Sequence, residues 1–232
     1  MKTFVLVHGT WGGGWMWRTV ADSLRAHGHT VYTPTLTGLG ERAHLARPET
    51  DLELHIQDLV AMLEAEELRQ ITLVGHSYAG FVITGAAARA AARIGHLVYL
   101  DAFVPEPGKC LLDYVGDLAP AMREAARAHG EGWKLPPFPP ERFGVTSQRD
   151  TEWLTKHLVP QPLRTFEQPL PAAGGEKLKR AYIYCSKPAT GTFDQFAERL
   201  RDDRKWTFHD VKTGHDAMVT APGDIAKILM GK

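Results

Sequence analysis

The sequence predicts an α/β protein in which a mostly parallel central sheet of about six strands is flanked by helices. Short runs rich in β-branched and aromatic residues recur along the chain, and stretches with helical spacing separate them. Most of these runs are too continuously apolar to have a solvated face, which places the strands in a sheet covered on both sides. The 232 residues can form one sizeable core, so we expect a single domain over residues 1–232.

The predicted strands and helices alternate along the chain. The strands lie at Thr3–His8, Thr30–Pro34, Ile71–Gly75, Leu97–Asp101, Ala181–Cys185 and Trp206–Val211. The helices lie at Trp15–His27, Leu52–Glu66, Tyr78–Arg93, Phe193–Asp202 and Asp224–Met230, with Pro222 suited to the first turn of the last one. This alternation is typical of parallel strands joined by crossover helices.

One long segment, at about residues 104–179, interrupts the alternation. It contains many prolines and isolated aromatic residues but no convincing strand. The run Pro136-Pro137-Phe138-Pro139-Pro140 excludes regular structure there, whereas Leu112–His129 and Thr151–Leu158 have the spacing of short helices. Because insertions of this length are more often functional than not, we interpret the segment as an inserted cap.

The composition excludes partners that are selected by charge. Lys plus Arg and Asp plus Glu each total 27, so we expect neither nucleic acid nor an anionic membrane as a partner. The two cysteines, Cys110 and Cys185, form no disulfide or metal pattern and are interpreted as free thiols. The first apolar run, Phe4–Val7, is far shorter than a signal-peptide core. We expect a cytoplasmic protein, and a homodimer is left open.

A serine at the end of the third predicted strand is the strongest local signal. The apolar strand runs into Gly75-His76-Ser77-Tyr78-Ala79-Gly80, and a helix follows. A nucleophilic serine on so tight a strand–turn–helix bend needs small residues two positions before and after it, which Gly75 and Ala79 provide. Serine is also a favoured helix N-cap residue, which is the structural alternative. Strand, turn and helix together favour Ser77 as a catalytic nucleophile.

A glycine-rich turn, His8-Gly9-Thr10-Trp11-Gly12-Gly13-Gly14, follows the first predicted strand. A dinucleotide-binding loop would need an acidic residue about 20 positions on, where the chain has Tyr32-Thr33-Pro34. A turn of this kind instead supplies a backbone N–H group to a developing oxyanion. We therefore expect the oxyanion-binding donors to be the N–H groups of Thr10 and Tyr78, the second at a helix N-terminus.

A histidine follows the last predicted strand, in the sequence Lys212-Thr213-Gly214-His215-Asp216. In chains with such a nucleophile turn, the partners follow in the order nucleophile, acid and histidine, so the base is expected in a late loop. Position therefore singles out His215 among the eleven histidines as the general base. Its neighbour Asp216 is expected to face away or to cap the final segment.

Four motifs spread along the chain resemble those of one family. They are Phe4-Val5-Leu6-Val7-His8-Gly9, Gly12-Gly13-Gly14-Trp15, Gly75-His76-Ser77 and Gly214-His215. With them the chain resembles the small α/β hydrolases that include plant methyl esterases and hydroxynitrile lyases. The lyases carry Glu before the nucleophile and Lys after the histidine, where this chain has His76 and Asp216. The resemblance therefore implies an α/β-hydrolase fold and an esterase rather than a lyase.

The resemblance does not by itself identify the carboxylate that would complete a catalytic triad with Ser77 and His215. In the family it normally stands three residues after the position of Cys185, where this chain has Pro188. Asp101 ends the strand that follows the nucleophile strand, and certain haloalkane dehalogenases and lipases hold their acid at that place. We therefore predict Asp101, with Asp194 in the later loop as the alternative. The structural alternative for Asp101 is a residue that caps the entry to the inserted segment.

These features predict a serine hydrolase that cleaves a small to medium, apolar or aromatic carboxylic ester through an acyl-enzyme, without metal or organic cofactor. We expect Trp11 and the cap residues Trp153, Phe138, Phe143 and Phe166 to line the substrate pocket, although such side chains often seal a cap to its sheet instead. Two alternatives stay open. One is a slow, receptor-like ligand-binding protein, and the other is cleavage of a lactone, amide or C–C bond.

Overall fold

A parallel six-stranded sheet forms the centre of the computed structural model, which describes residues 1–231. The strands in this range are β1 (Thr3–Val7), β2 (Thr30–Tyr32), β3 (Ile71–His76), β4 (Ile94–Leu100), β5 (Lys134–Leu135), β6 (Gln161–Pro162), β7 (Lys179–Cys185) and β8 (Trp206–Val211). The main sheet has the order β2-β1-β3-β4-β7-β8 with every neighbouring pair parallel. The predicted α/β class and its sheet of about six strands are confirmed.

Helices connect the strands and cover both faces of the sheet. They are α1 (Arg18–Ala26), α2 (Leu52–Ala65), α3 (Ala79–Ala90), α4 (Leu118–His129), α5 (Gln148–His157), α6 (Arg164–Glu167), α7 (Asp194–Leu200), α8 (Ala217–Thr220) and α9 (Pro222–Met230). Short 3-10 helices occupy Gly14–Trp17, Gly40–Leu45, Ala91–Arg93, Leu111–Tyr114 and Pro140–Phe143. In residues 1–231 no helix combines the length and apolar character needed to cross a membrane.

The strand residues divide between two hydrophobic clusters, one on each face of the sheet. Phe4 and Leu6 of β1 belong to the cluster that also contains residues of α1 and α9, whereas Val5 and Val7 pack with residues of α2 and α3. This alternation follows from the two-residue period of a β-strand. Burial on both faces explains why the strands are continuously apolar in sequence.

The inserted segment differs from the expectation in two places. β5 and β6 form a small antiparallel ribbon, although no strand was predicted there. Each strand has only two residues and β6 includes Pro162, so neither carries a readable strand pattern. The 3-10 helix at Pro140–Phe143 begins inside the proline-rich run, because proline is tolerated at the first helical position.

β4 also begins earlier than predicted. Ile94 pairs with Ile71 and His96 with Thr72, with an irregularity in register between the two pairs. The polar His96 and the small Gly95 hide the strand start in the sequence. Because β1, β3, β4 and β8 run in parallel, their carboxyl ends meet at one edge of the sheet, the usual place for ligand sites in such folds.

Candidate active site

Ser77 lies on the tight turn between β3 and α3. Its φ angle is +54°, in the left-handed region that is uncommon for a residue with a side chain. Its N–H donates to the Leu100 carbonyl at 3.2 Å, and its own carbonyl accepts from the N–H groups of Gly80 and Phe103 at 3.0 and 3.2 Å. A Cβ atom on Gly75 would lie 2.9 Å from the Ala79 carbonyl oxygen, which explains the small residue at that position. These contacts hold the serine at the sheet edge.

His215 follows β8, and Asp101 follows β4. The His215 Nδ1–H group donates to Asp101 Oδ2 at 2.7 Å, and Asp101 Oδ1 accepts from the Cys185 N–H at 3.1 Å. Both side chains are buried. Asp194, the alternative acid, lies at the start of α7 and accepts a hydrogen bond from the Tyr184 hydroxyl at 2.6 Å. The structure thus brings Asp101 to the imidazole and gives Asp194 a different partner.

Burial dominates the protonation of this pair. It lowers the pKa of the His215 imidazole, which favours the neutral ring that a general base requires. It raises the pKa of the Asp101 carboxyl well above its ordinary value, and the hydrogen bond from the Cys185 N–H opposes that shift. The short contact between the two side chains also opposes both shifts, because a carboxylate stabilises an adjacent imidazolium.

Ser77 and His215 line the same cavity. With Nδ1 committed to Asp101, Nε2 is the ring nitrogen that can accept the serine proton. Within residues 1–231 the Ser77 hydroxyl makes no hydrogen bond to another residue. Catalytic hydrogen bonds in unliganded sites are often long and tighten only when substrate binds.

The amides of Thr10 and Tyr78 are both available for a ligand. Within the described chain, neither N–H group donates to a backbone or side-chain acceptor. Tyr78 precedes the first residue of α3, and Thr10 lines the cavity beside Ser77. A Cβ atom on Gly9 would lie 3.0 Å from Ser77 Cβ, so glycine allows the loop after β1 to approach the serine closely.

The cavity is lined mainly by apolar side chains. Four of the five predicted pocket residues lie on it: Trp11, Phe138, Phe143 and Phe166. The fifth prediction, Trp153, is wrong. Its ring packs edge-to-face against Trp15 with 4.9 Å between the ring centroids, because that face of α5 joins the hydrophobic cluster on the opposite side of the sheet. The remaining lining is formed largely by Phe103, Leu111, Val115, Leu118, Met122 and Phe193.

Sequence reasoning missed two residues that pack against the His215 imidazole. Phe193 stacks on the imidazole with ring centroids 4.7 Å apart and planes 10° apart. The His76 ring packs on the His215 imidazole with 4.4 Å between the ring centroids, and its Nε2–H group donates to the His215 carbonyl at 3.0 Å. The position of His76 next to the serine could have suggested such a role, whereas no sequence signal connects Phe193 with a residue of another loop.

Asp216 differs from the expectation. It precedes α8, but its side chain forms no capping hydrogen bond. Its carboxylate is buried 4.0 Å from His76 Nε2, and burial, with a smaller effect of Asp101, raises its pKa to about 7. Donor atoms of His76, His215 and Asp216 lie within 4.8 Å of one another, the spacing of a metal site. The His76 nitrogen nearest Asp216, Nε2, already donates to the His215 carbonyl, which fits a hydrogen-bonded support for the imidazole.

Comparison with known proteins identifies the family of this chain. Residues 4–228 match the family described as "Alpha/beta hydrolase family". The chain belongs to the alpha/beta hydrolase family. It is 42% identical, over 99% of its length and 98% of the relative, to a carbendazim hydrolyzing esterase of Nocardioides sp. (strain SG-4G). It is 26% identical to methylesterase 10 of Arabidopsis thaliana, over 97% of this chain and 90% of the relative. The resemblance to plant methyl esterases is confirmed.

Solved alpha/beta hydrolase structures share the fold. An extracellular alpha/beta-hydrolase from a Paenibacillus species superimposes with a TM-score of 0.82 and 24% identity, covering 100% of this chain and 98% of that one. The Arabidopsis methylesterase MES16 superimposes with a TM-score of 0.74 and 22% identity, covering 100% and 98% of the two chains. Within this alpha/beta hydrolase, the loop after β7 carries Pro188, and the imidazole is bonded to the carboxylate that follows β4.

Proposed function

We propose that this alpha/beta hydrolase is a serine-dependent carboxylic ester hydrolase that works through an acyl-enzyme. The observation that carries the proposal is the placement of Ser77, on a left-handed turn, at the same cavity as an imidazole bonded to a buried carboxylate. The esterase names of its relatives support the same reaction class.

In the proposed mechanism, Ser77 Oγ attacks the ester carbonyl while His215 Nε2 takes its proton. Asp101 holds the ring in the correct tautomer and stabilises the imidazolium. The N–H groups of Thr10 and Tyr78 bind the oxyanion, and His215 then gives the proton to the departing alcohol. Water, activated by the same imidazole, hydrolyses the acyl-enzyme and releases the acid. None of these steps uses a metal or an organic cofactor.

We propose a small to medium ester with apolar or aromatic groups as the substrate. The support is the aromatic lining of the cavity. The ring centroids of Trp11 and Phe138 lie 5.1 Å apart, and those of Phe143 and His215 lie 5.4 Å apart. Residues 104–179 contribute much of that lining, which supports their proposed role as a cap. The relatives' names make methyl esters and carbendazim the first compounds to test. A cytoplasmic location remains our expectation.

The test is hydrolysis of a graded p-nitrophenyl ester series by the wild type, Ser77→Ala, Asp101→Asn and Asp194→Asn. Ser77→Ala should abolish turnover, and Asp101→Asn should lower kcat by about 10⁴-fold through the wrong imidazole tautomer. Asp194→Asn is the matched control and should stay within about twofold of wild type, since Asp194 bonds Tyr184. Loss of activity in Asp194→Asn but not in Asp101→Asn would contradict the acid assignment. Tight ester binding without turnover would favour the receptor-like alternative.

A further inference from the structure

Trp11, which follows the proposed oxyanion donor Thr10, is tied to the cap by three hydrogen bonds. Its backbone N–H donates to Gln161 Oε1 at 2.9 Å, and its carbonyl accepts from the Val159 N–H at 3.0 Å. Its indole Nε1–H donates to the Leu135 carbonyl at 3.0 Å. The acceptors and donors all lie in or beside β5 and β6. The conformation of the loop after β1, residues 8–14, which we call the oxyanion loop, is therefore coupled to the ribbon that β5 and β6 form in the cap.

The backbone of Trp11 needs such support. Its φ angle is +59°, a left-handed conformation that is unfavourable for a residue with a large side chain. The loop turns sharply at the same point, because the Gly12 N–H donates to the Thr10 carbonyl at 2.7 Å. The Thr10 N–H belongs to the preceding peptide unit, so a displacement of Trp11 reaches it by shifting the Thr10 backbone to which that N–H is attached. Contacts that hold Trp11 in place thus fix the direction of the proposed donor.

Gln161 is fully buried, and it connects Trp11 with the second proposed donor residue. Its Nε2–H group donates to Thr165 Oγ1 at 2.9 Å, and the Thr165 hydroxyl donates to the Pro162 carbonyl at 2.7 Å. Phe166, which follows Thr165 in the chain, packs edge-to-face on the Tyr78 ring with 5.7 Å between the ring centroids. Hydrogen bonds through Gln161 and Thr165, followed by the packing of Phe166, therefore connect Trp11 with Tyr78.

We infer that Gln161 and Thr165 are positioning residues that hold the Thr10 and Tyr78 amides at the separation that the oxyanion requires. The inference rests on the proposed function. A buried amide side chain satisfied at both ends specifies one geometry, because any displacement leaves a buried polar group without its partner. The cap thereby completes the oxyanion site as well as covering the substrate.

The test compares Gln161→Met with wild type, using p-nitrophenyl butyrate as substrate and phenylboronic acid as the probe that forms a tetrahedral adduct. Methionine has a similar length but keeps neither hydrogen bond. We expect kcat to fall about tenfold to a hundredfold with KM within about threefold, because a misplaced donor weakens transition-state stabilisation more than substrate binding. The inhibition constant of phenylboronic acid should rise by the factor by which kcat/KM falls.

Two variants separate positioning from a general loss of cap structure. Gln168→Met removes another cap glutamine, which accepts from the Glu53 N–H at 2.6 Å and donates to Asp51 at 3.0 Å away from the oxyanion loop. It should leave kcat within about twofold of wild type. Gln161→Glu keeps an acceptor for the Trp11 N–H, but only its protonated carboxyl can also donate to Thr165 Oγ1. Its kcat relative to wild type at the same pH should therefore be higher at pH 5 than at pH 8.

A folded Gln161→Met with kcat within twofold of wild type overturns the inference, and so does an equal loss of kcat in Gln168→Met. Should Gln161→Met fail to fold, Thr165→Val is compared with Gln168→Met by the same criteria. Activity that is lost in Ser77→Ala but kept in Gln161→Met contradicts the inference alone. Undiminished activity in Ser77→Ala contradicts the proposed function and the inference with it.

Discussion

Three residues at the candidate site adopt positive φ angles although none is glycine. They are Trp11 at +59°, Ser77 at +54° and Asp101 at +39°. Ser77 and Asp101 directly follow strands β3 and β4, and Trp11 lies in the loop after β1. Such conformations cost about 1–3 kcal/mol each and cluster where function requires them. The side chains of Trp11 and Ser77 line the cavity, and the Asp101 carboxylate is directed at the His215 imidazole.

His215 should set the acidic limit of activity. The ring must be neutral to accept the Ser77 proton, so kcat/KM should rise as pH rises through the pKa of this histidine in the free enzyme. Because burial lowers that pKa, the midpoint should lie below the ordinary histidine value of about 6.5. A profile of kcat/KM for p-nitrophenyl butyrate between pH 4 and 9 measures it. A midpoint above about 6.5 would show that the Asp101 carboxylate outweighs burial.

Asp216 should make stability fall as pH rises. Its pKa is about 7 when folded against 3.8 ordinarily, so between these values the folded state retains a proton that the unfolded state has lost. The free energy of unfolding then decreases by up to about 1.4 kcal/mol per pH unit through this group. Asp216→Asn should therefore gain stability relative to wild type between pH 4.5 and 7.5, measured by urea unfolding.

Asp210→Asn is the control, because the contribution of Asp210 to stability changes with pH in the opposite direction. A hydrogen bond from Ser186, then one from Lys212, lowers the pKa of Asp210, so its contribution is present above the ordinary carboxyl pKa and lost as pH falls. The stability of Asp210→Asn relative to wild type should decrease with rising pH. A pH-independent difference between Asp216→Asn and wild type would refute the account of Asp216.

At the scale of elements, α3 approaches the chain after β4 very closely. A Cβ atom on Gly80 would lie 1.9 Å from the Phe103 carbonyl oxygen, which is backbone and cannot move aside cheaply. The Phe103 N–H also bonds the Ser77 carbonyl at 3.2 Å. The glycine therefore allows the turn with Ser77 and the segment with Asp101 to share one edge.

Gly80→Ala should lower the free energy of unfolding by about 1–3 kcal/mol, as expected for overpacking. Gly223→Ala, in the first turn of α9, is the matched control, since a Cβ atom there meets nothing within 4 Å. That variant should be neutral or up to about 1 kcal/mol more stable, because alanine favours helix. Equal unfolding midpoints for the two variants would contradict the close approach inferred at Gly80.

The elements that sequence could predict are those with repeated local patterns. The main strands and long helices bury whole faces, so their apolar spacing survives in the sequence. The ribbon of Lys134–Leu135 with Gln161–Pro162 has two residues a strand and depends on pairing across a long loop. These short strands show no hydrophobic periodicity, so the sequence gives no sign of the role of Gln161.

At the scale of the whole molecule, the parallel sheet brings residues that follow different strands close together at one edge. The places of Ser77 and His215 could be predicted because Ser77 directly follows β3 and His215 lies in the loop after β8. Asp101 could be predicted because the usual acid position holds Pro188. Their meeting at one edge is a property of strand order. The orientation of Trp153 and the contacts of His76 and Gln161 depend on packing between distant segments, which no local pattern encodes.

Covalent labelling with a fluorophosphonate tests the central claim most directly. We expect rapid labelling of the wild type with one adduct, located by peptide mass spectrometry at Ser77, and none in Ser77→Ala. Ser186→Ala, which removes a half-buried serine bonded to Asp210, should label like wild type. Ester hydrolysis that persists in Ser77→Ala, or an adduct on another residue of an active wild type, would contradict the account.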